Sequence, residues 1–144
     1  MTPTPTRREV SDLAIDVRLA CMRISRRVRF ESSSEIAPHR FGVLAKIEDG
    51  LHTATALAES ERVSAPSMSR TIKALAEDGL VTRTPDPDDG RNVILELTPE
   101  GAAMLRRVRR RRDAWMTTRV AALSAEEQHV LRRAADILAR VAAE

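Results

Sequence analysis

One change of rhythm constrains this chain more than any other feature. Up to Gly79 its apolar residues recur at three- and four-residue steps, the period of amphipathic helices. From Leu80 the period shortens. Leu80, Val81 and Thr82 begin a strand, PDPDDG is a dense turn signal, and Val93, Leu95 and Leu97 alternate with Ile94 and Glu96 on a returning strand. At Thr98 helix signals resume, with Thr98 as cap and Pro99 at the first helical position. One hairpin with a long charged tip is therefore set inside an otherwise helical chain.

Punctuation residues place the helices. Val10, Leu13, Val17, Cys21, Ile24 and Val28 make a stripe on a first helix over about 9–32, which Leu19 and Met22 widen. Ser32, Ser33 and Ser34 end it. The Thr-Pro alternation before it reads as a mobile tail. Pro38 opens a second helix to about 49 carrying Phe41, Leu44, Ala45 and Ile47, and Gly50 is a C-cap signal. Thr53 caps a short helix with Ala56, Leu57 and Ala58, and ESERV (59–63) reads as the turn after it. Ser64 caps the next helix, which runs to about 78 before Gly79 closes it. The helix after the hairpin runs to about 121. Ser124 to Glu127 is a capping box opening a last helix with Val130, Leu131, Ala134, Ile137, Leu138 and Val141.

A short helix, a tight turn, a second helix and a hairpin in succession make a winged helix-turn-helix. The expected fold is mainly α with a small β-hairpin wing, as one domain over 1–144. The winged helix-turn-helix should occupy about 38–100. The flanking segments, about 9–35 and 104–144, should form a dimerisation region, because a lone winged-helix core could not cover both apolar faces.

Composition narrows the function less. The net charge is +3, from 24 Lys and Arg against 21 Asp and Glu, too small an excess to argue a nucleic-acid partner alone. The single cysteine, Cys21, excludes an internal disulfide and a Cys-built zinc site. The opening MTPTPTRREV has no apolar run, no stretch approaches the roughly 20 apolar residues of a membrane span, and a cytoplasmic setting is expected. Aromatic residues are limited to Phe30, Phe41 and Trp115, which argues against stacking single-stranded bases. His39, His52 and His129 lack metal-ligand spacing, Ser67 and Ser69 lack a His and acid arrangement, and no glycine-rich phosphate loop is present. Neither cofactor, metal nor catalysis is expected.

The helix over 64–78 holds the chemistry. On a wheel of about 100° per residue, Met68, Ile72, Leu75 and Ala76 share a core face. Pro66, Ser67, Arg70, Lys73 and Ala74 share the opposite face, where small, polar and basic residues suit a major groove. Glu77 is that face's only acid, whereas an ordinary solvated face mixes signs. Ser64, Pro66, Ser67, Arg70, Thr71 and Lys73 are the expected recognition-helix contacts. The amides at Ser64 to Ser67 also offer a phosphate site.

The string TRTPDPDDGRNVILELTPEG resembles the wing of the MarR family of bacterial regulators. The family pattern, Asp-x-Arg followed by a strand and Leu-Thr-x-x-Gly, falls on Asp89, Arg91, Leu97, Thr98 and Gly101. Upstream, LAESERVSAPSMSRTIKALAEDGLVTR resembles the family's helix-turn-helix. Downstream, LSAEEQHVLRRAADIL resembles its C-terminal dimerisation helix. The resemblance covers roughly 10–142. It implies a sequence-specific binder of duplex DNA, acting as a homodimeric repressor on a palindromic operator, with Arg91 as a wing contact. In many members a small lipophilic or phenolic effector weakens DNA binding. Gly90 is expected to allow the tip's tight reversal, and Asp89 to hold the Arg91 guanidinium or shape the turn. Thr53, Arg62 and Arg83 are expected on the DNA backbone. Many relatives have Gly where this chain has Glu61-Arg62. A peroxide-sensing branch uses a first-helix cysteine with Tyr partners; this chain has no Tyr, and Cys21 reads as a buried small hydrophobe.

Rival classes fit less well. A winged-helix module for protein partners would carry an apolar or acidic surface where Arg70 and Lys73 stand. An enzyme would need convergent titratable groups, and none converge by spacing. Two features stay open. The run Arg106–Arg112 holds six arginines in seven residues, which could touch DNA flanks, hold acids of a partner subunit, or form a solvated face. Trp115 belongs near a dimer interface or in a pocket wall.

Overall fold

A computed structural model describes residues 3–144. The element order is α1 (Arg7–Glu31), α2 (Pro38–Glu48), α3 (Ala54–Glu61), α4 (Ala65–Glu77), β1 (Val81–Pro85), β2 (Val93–Leu97), α5 (Pro99–Ala121) and α6 (Ala125–Ala143). This is the expected winged helix-turn-helix between long terminal helices. Met1 and Thr2 of the Thr-Pro tail lie outside the described residues.

Side-chain caps start most of the helices. Thr6 and Glu9 make a reciprocal capping box on α1, and Ser124 and Glu127 make another on α6. Thr53, Ser64 and Thr98 each accept a backbone N–H at the start of α3, α4 and α5. Three helices end alike. The N–H of Leu51, Val63 and Leu80 each returns to a carbonyl five residues back, around a positive-φ residue. At α2 and α4 that residue is Gly50 or Gly79. At α3 it is Arg62, with φ 54° and ψ 45°.

The core lies in the winged-helix lobe. Phe41, Val43, Leu44 and Ile47 of α2 meet Leu57 of α3, Met68, Ile72 and Leu75 of α4, Leu95 of β2, and Leu105 and Val108 of α5. The expected core face of α4 is thus observed, with Ala76 at its edge. No residue of α1 or α6 is buried. Val10, Leu13, Met22, Ile24, Phe30, Val130, Ile137 and Val141 are exposed. Cys21 is exposed too, so the expectation of a buried small hydrophobe fails within one chain.

The hairpin is antiparallel, with Val81 opposite Leu97, Arg83 opposite Leu95 and Pro85 opposite Val93. Its other edge is not free. The Leu95 N–H donates to the His52 carbonyl at 2.8 Å, and His52 Nδ1 lies 2.9 Å from the Leu95 carbonyl oxygen. The segment before α3 is thereby pinned to β2 by one backbone bond and one contact of the His52 side chain. The hairpin base is locked to α5. Thr98 Oγ1 donates to the Gly79 carbonyl at 2.6 Å, and the Thr98 N–H donates to the Leu80 carbonyl at 3.1 Å. Gly101 is buried there, and a Cβ would lie 2.1 Å from the Leu80 carbonyl oxygen. The Leu-Thr-x-x-Gly pattern is therefore a backbone joint that admits no side chain at its last position.

Candidate nucleic-acid interface

The helix pair α3–α4 is joined by Arg62 and Val63, with Ser64 as the next cap. The turn is shorter than ESERV implied, because Glu59, Ser60 and Glu61 complete α3. The left-handed backbone that glycine usually supplies is here adopted by Arg62, at a cost of about 1–2 kcal/mol for an L-residue. Its side chain is exposed beside Thr55 and Ser69 along one flank of α4.

The outward stripe of α4 is Pro66, Ser69, Arg70, Lys73 and Glu77. This stripe is rotated toward α3 relative to the expected one. Ser67, Thr71 and Ala74 are half-buried, lining a cleft of about 420 Å³ against His39 and Arg40 of α2. Thr71 Oγ1 is engaged, donating to the Ser67 carbonyl at 3.2 Å. Ser64 Oγ accepts the Ser67 N–H at 3.2 Å. Arg70 is exposed at the rim of that cleft, and Lys73 lies 3.8 Å from Glu77 in a solvent-exposed pair worth little. Ser69 and His39 are surface residues that sequence reasoning passed over. A wheel of about 100° per residue sets Ser69 beside the core face, so its exposure, like that of His39, depended on how α2 and α4 pack. Arg40 is tied to Asp78 at the far end of α4, which orients the two helices across the cleft.

At the wing, two carboxylates shape the tip. Asp86 Oδ1 accepts the Asp88 N–H at 2.8 Å, and Asp89 Oδ1 accepts the Arg91 N–H at 3.1 Å. The Asn92 N–H returns to the Asp89 carbonyl at 3.0 Å, and the Asp86 N–H to the Asn92 carbonyl at 2.9 Å. Gly90 is not at positive φ, so the reversal rests on these Asx bonds rather than on glycine. The expectation that Asp89 fixes the guanidinium gives way to the shaping role. Asp89 Oδ1 lies 3.9 Å from Arg91 Nε, and the Arg91 side chain is 95% exposed. Arg83 is exposed on β1 opposite Leu95, and Thr53 is exposed at the start of α3, one residue from the His52 bridge.

Four of the run's six arginines, Arg107, Arg109, Arg111 and Arg112, are engaged within the chain. Arg107 pairs with Glu35 at 2.8 Å and Glu100 at 3.0 Å, Arg109 with Glu48 at 2.7 Å, and Arg111 with Glu35 at 3.1 Å. Hydrogen bonds from Arg109 hold the Glu48 carboxyl below the usual carboxylate range. The Arg112 guanidinium lies 3.9 Å from the Phe41 ring centroid, and burial lowers its pKa. The Trp115 ring centroid lies 3.3 Å from the Arg119 guanidinium and 5.5 Å from that of Arg27. Among the described residues no group of His, Cys, Asp and Glu could hold a metal ion. No helix among them is long and apolar enough to cross a membrane.

Comparison with known proteins agrees with this geometry. Residues 38–93, from α2 into β2, match the MarR family. The chain is 41% identical over 128 residues to an uncharacterized HTH-type transcriptional regulator of Mycobacterium bovis, covering 88% of this chain and 90% of the relative. The fold superposes on a putative transcriptional regulator of Pseudomonas aeruginosa with a TM-score of 0.79 at 27% identity, covering 96% of this chain and 98% of the other. It also resembles a variant of Staphylococcus aureus MepR bound to an oligodeoxyribonucleotide, with a TM-score of 0.66 at 21% identity over 90% of this chain and 97% of that one. The winged lobe, its locked wing base and these relatives together identify the chain as a member of the MarR family of helix-turn-helix transcriptional regulators.

Proposed function

We propose that this chain represses transcription as a cytoplasmic homodimer that binds a palindromic duplex operator. The observation that carries the reading is the outward stripe of α4, where Arg70 and Lys73 stand among small residues beside an extended wing. In this reading α4 enters the major groove and presents Pro66, Ser69, Arg70 and Lys73. Ser64, Ser67 and Thr71 support the approach of its first turns. Arg91 reaches the adjacent minor groove, where narrow A·T tracts concentrate negative potential. Asp89 shapes the loop that carries it. Thr53, Arg62 and Arg83 meet phosphates and set register.

Dimerisation is supported by α1 and α6, most of whose large apolar residues are exposed in one chain. A twofold dimer would set two copies of α4 about 34–36 Å apart, one duplex turn. Release by a lipophilic or phenolic effector is part of the same reading, supported by the resemblance of the chain to its family. A gel shift on genomic fragments at two salt concentrations tests the central claim. Retarded, salt-sensitive complexes are expected; none at low salt would favour a protein-binding winged helix. Footprinting should then protect two inverted half-sites. Arg70→Ala should relax one operator position at a cost of about 1–3 kcal/mol. An equal loss for every sequence would make Arg70 a phosphate clamp instead.

A further inference from the structure

The arginine run suggests a role beyond surface charge. The DNA-binding lobe joins the uncovered helices through two connections: the continuous helix α5, and the segment 32–37 between α1 and α2. Ile36 anchors the lobe end of that second connection in the core, but no residue of α1 is buried. The course of the chain from Glu31 to Glu35 is set by polar ties. Both oxygens of Glu35 are taken, Oε1 by Arg107 Nε at 2.9 Å and Nη2 at 2.8 Å, and Oε2 by Arg111 Nη1 at 3.1 Å. Arg111 also donates to Ser33 Oγ at 3.1 Å. About two turns further along α5, Arg119 lies 3.8 Å from Glu31, which Arg27 holds with two hydrogen bonds at 2.9 and 3.2 Å. The Glu35 and Arg107 side chains are only 25% and 33% exposed, so the pair is better protected from water than the chain's i,i+4 pairs on open helix faces.

We propose that Glu35, gripped by Arg107 and Arg111, is a positioning residue that sets the half-site spacing this regulator accepts. The clasp makes α1 and α5 leave the DNA-binding lobe at one fixed angle. In a twofold dimer a small change of that angle is doubled, and it alters the separation of the two α4 helices rather than the contacts either makes. The proposal rests on the dimeric DNA-binding reading above. Its effect is on geometry, so it separates from that reading in experiment.

The test selects operators from a random duplex library with the wild-type protein. The best operator is then rebuilt with its half-sites one base pair closer and one further apart. Binding of each duplex, and of a single half-site, is measured for wild type, Glu35→Gln and Arg111→Gln, with Glu126→Gln on α6 as control. Wild type and control should discriminate sharply between spacings. Glu35→Gln should lower that discrimination by about three- to fivefold, the scale of a partly exposed ion pair, and Arg111→Gln by less. Single half-site affinity should be unchanged in all four. Unchanged spacing preference in both clasp variants overturns the proposal, as does a matching loss on the single half-site. A wild type that selects no duplex overturns the DNA-binding reading and the clasp with it.

Discussion

The winged lobe and the terminal helices are built on opposite principles. The lobe buries Leu44, Leu57, Leu75, Leu95 and Leu105 almost completely, and its joints are backbone bonds. Helices α1 and α6 have no fully buried residue, and α1 and the segment after it are tied to α5 by arginines and carboxylates. A lobe of the first kind is stable by its own packing. Arms of the second kind are, in the dimer proposed above, half of an interface. Substitutions in the two regions should therefore fail in different observables.

The largest effect should come from the lobe's centre. Leu44→Ala should cost about 2–5 kcal/mol, since Leu44 is fully buried and its cavity cannot collapse onto water. Thermal unfolding should show the loss at any protein concentration. A loss that disappears at high concentration would mean that the lobe too depends on a partner. Next is Gly101→Ala, expected to cost about 1–3 kcal/mol, because the new methyl meets the Leu80 carbonyl rather than a movable side chain. Wild-type melting would show that the α5–β1 joint gives way freely.

The arms reverse this pattern. Leu13→Asp, on the exposed stripe of α1, should leave the lobe's circular dichroism intact while raising the dimer dissociation constant about tenfold or more. Sedimentation velocity across a dilution series measures it, and an unchanged dimer would place the interface elsewhere. Arg91→Ala should leave both stability and assembly alone, since its guanidinium is exposed and only loosely paired. It should weaken operator binding, most on A·T-rich flanks, with a shallower salt slope. Asp89→Ala should give a milder defect by loosening the loop. Fluorescence anisotropy across a salt series would expose the alternative, wild-type affinity with a purely structural wing.

The smallest effect concerns acid. Hydrogen bonds from Arg27 and Arg109 depress the Glu31 and Glu48 carboxyls. A depressed carboxylate stabilises the fold fully above the ordinary glutamate value, about 4.3, and loses that contribution as pH falls through its lowered value. Melting should be flat from neutral pH to about 5 and decline below. Glu48→Gln should flatten that acid decline slightly; a steeper decline would contradict the sign.

The sequence was most informative where structure is local. Thr53, Ser64, Thr98 and Ser124 cap as their spacing implied, and Met68, Ile72 and Leu75 face the core as the wheel placed them. Boundaries set by longer reach were less legible. Ser60 looks like a turn residue, yet α3 continues to Glu61 and closes on Arg62, a residue with no intrinsic preference for positive φ. Gly90 drew attention as a turn residue although neighbouring aspartates make the reversal. The arginine run was opaque because Glu35 and Ser33 lie more than 70 positions from their partners. The outward stripe of α4 was read nearly right, missing Ser69 because the helix is rotated by its contact with α2.

The two reciprocal capping boxes sit on α1 and α6, the helices without a core of their own. A helix without a core to pack on must nucleate alone, its first turn is costly, and a box that satisfies two orphan amides at once eases that step. In the proposed dimer this bears on the order of events as the chain leaves the ribosome. The arms can hold helical shape before a second chain arrives, so association becomes the meeting of ready-made rods rather than folding upon contact. Less ordering entropy is then lost at the encounter, which favours pairing at lower concentration.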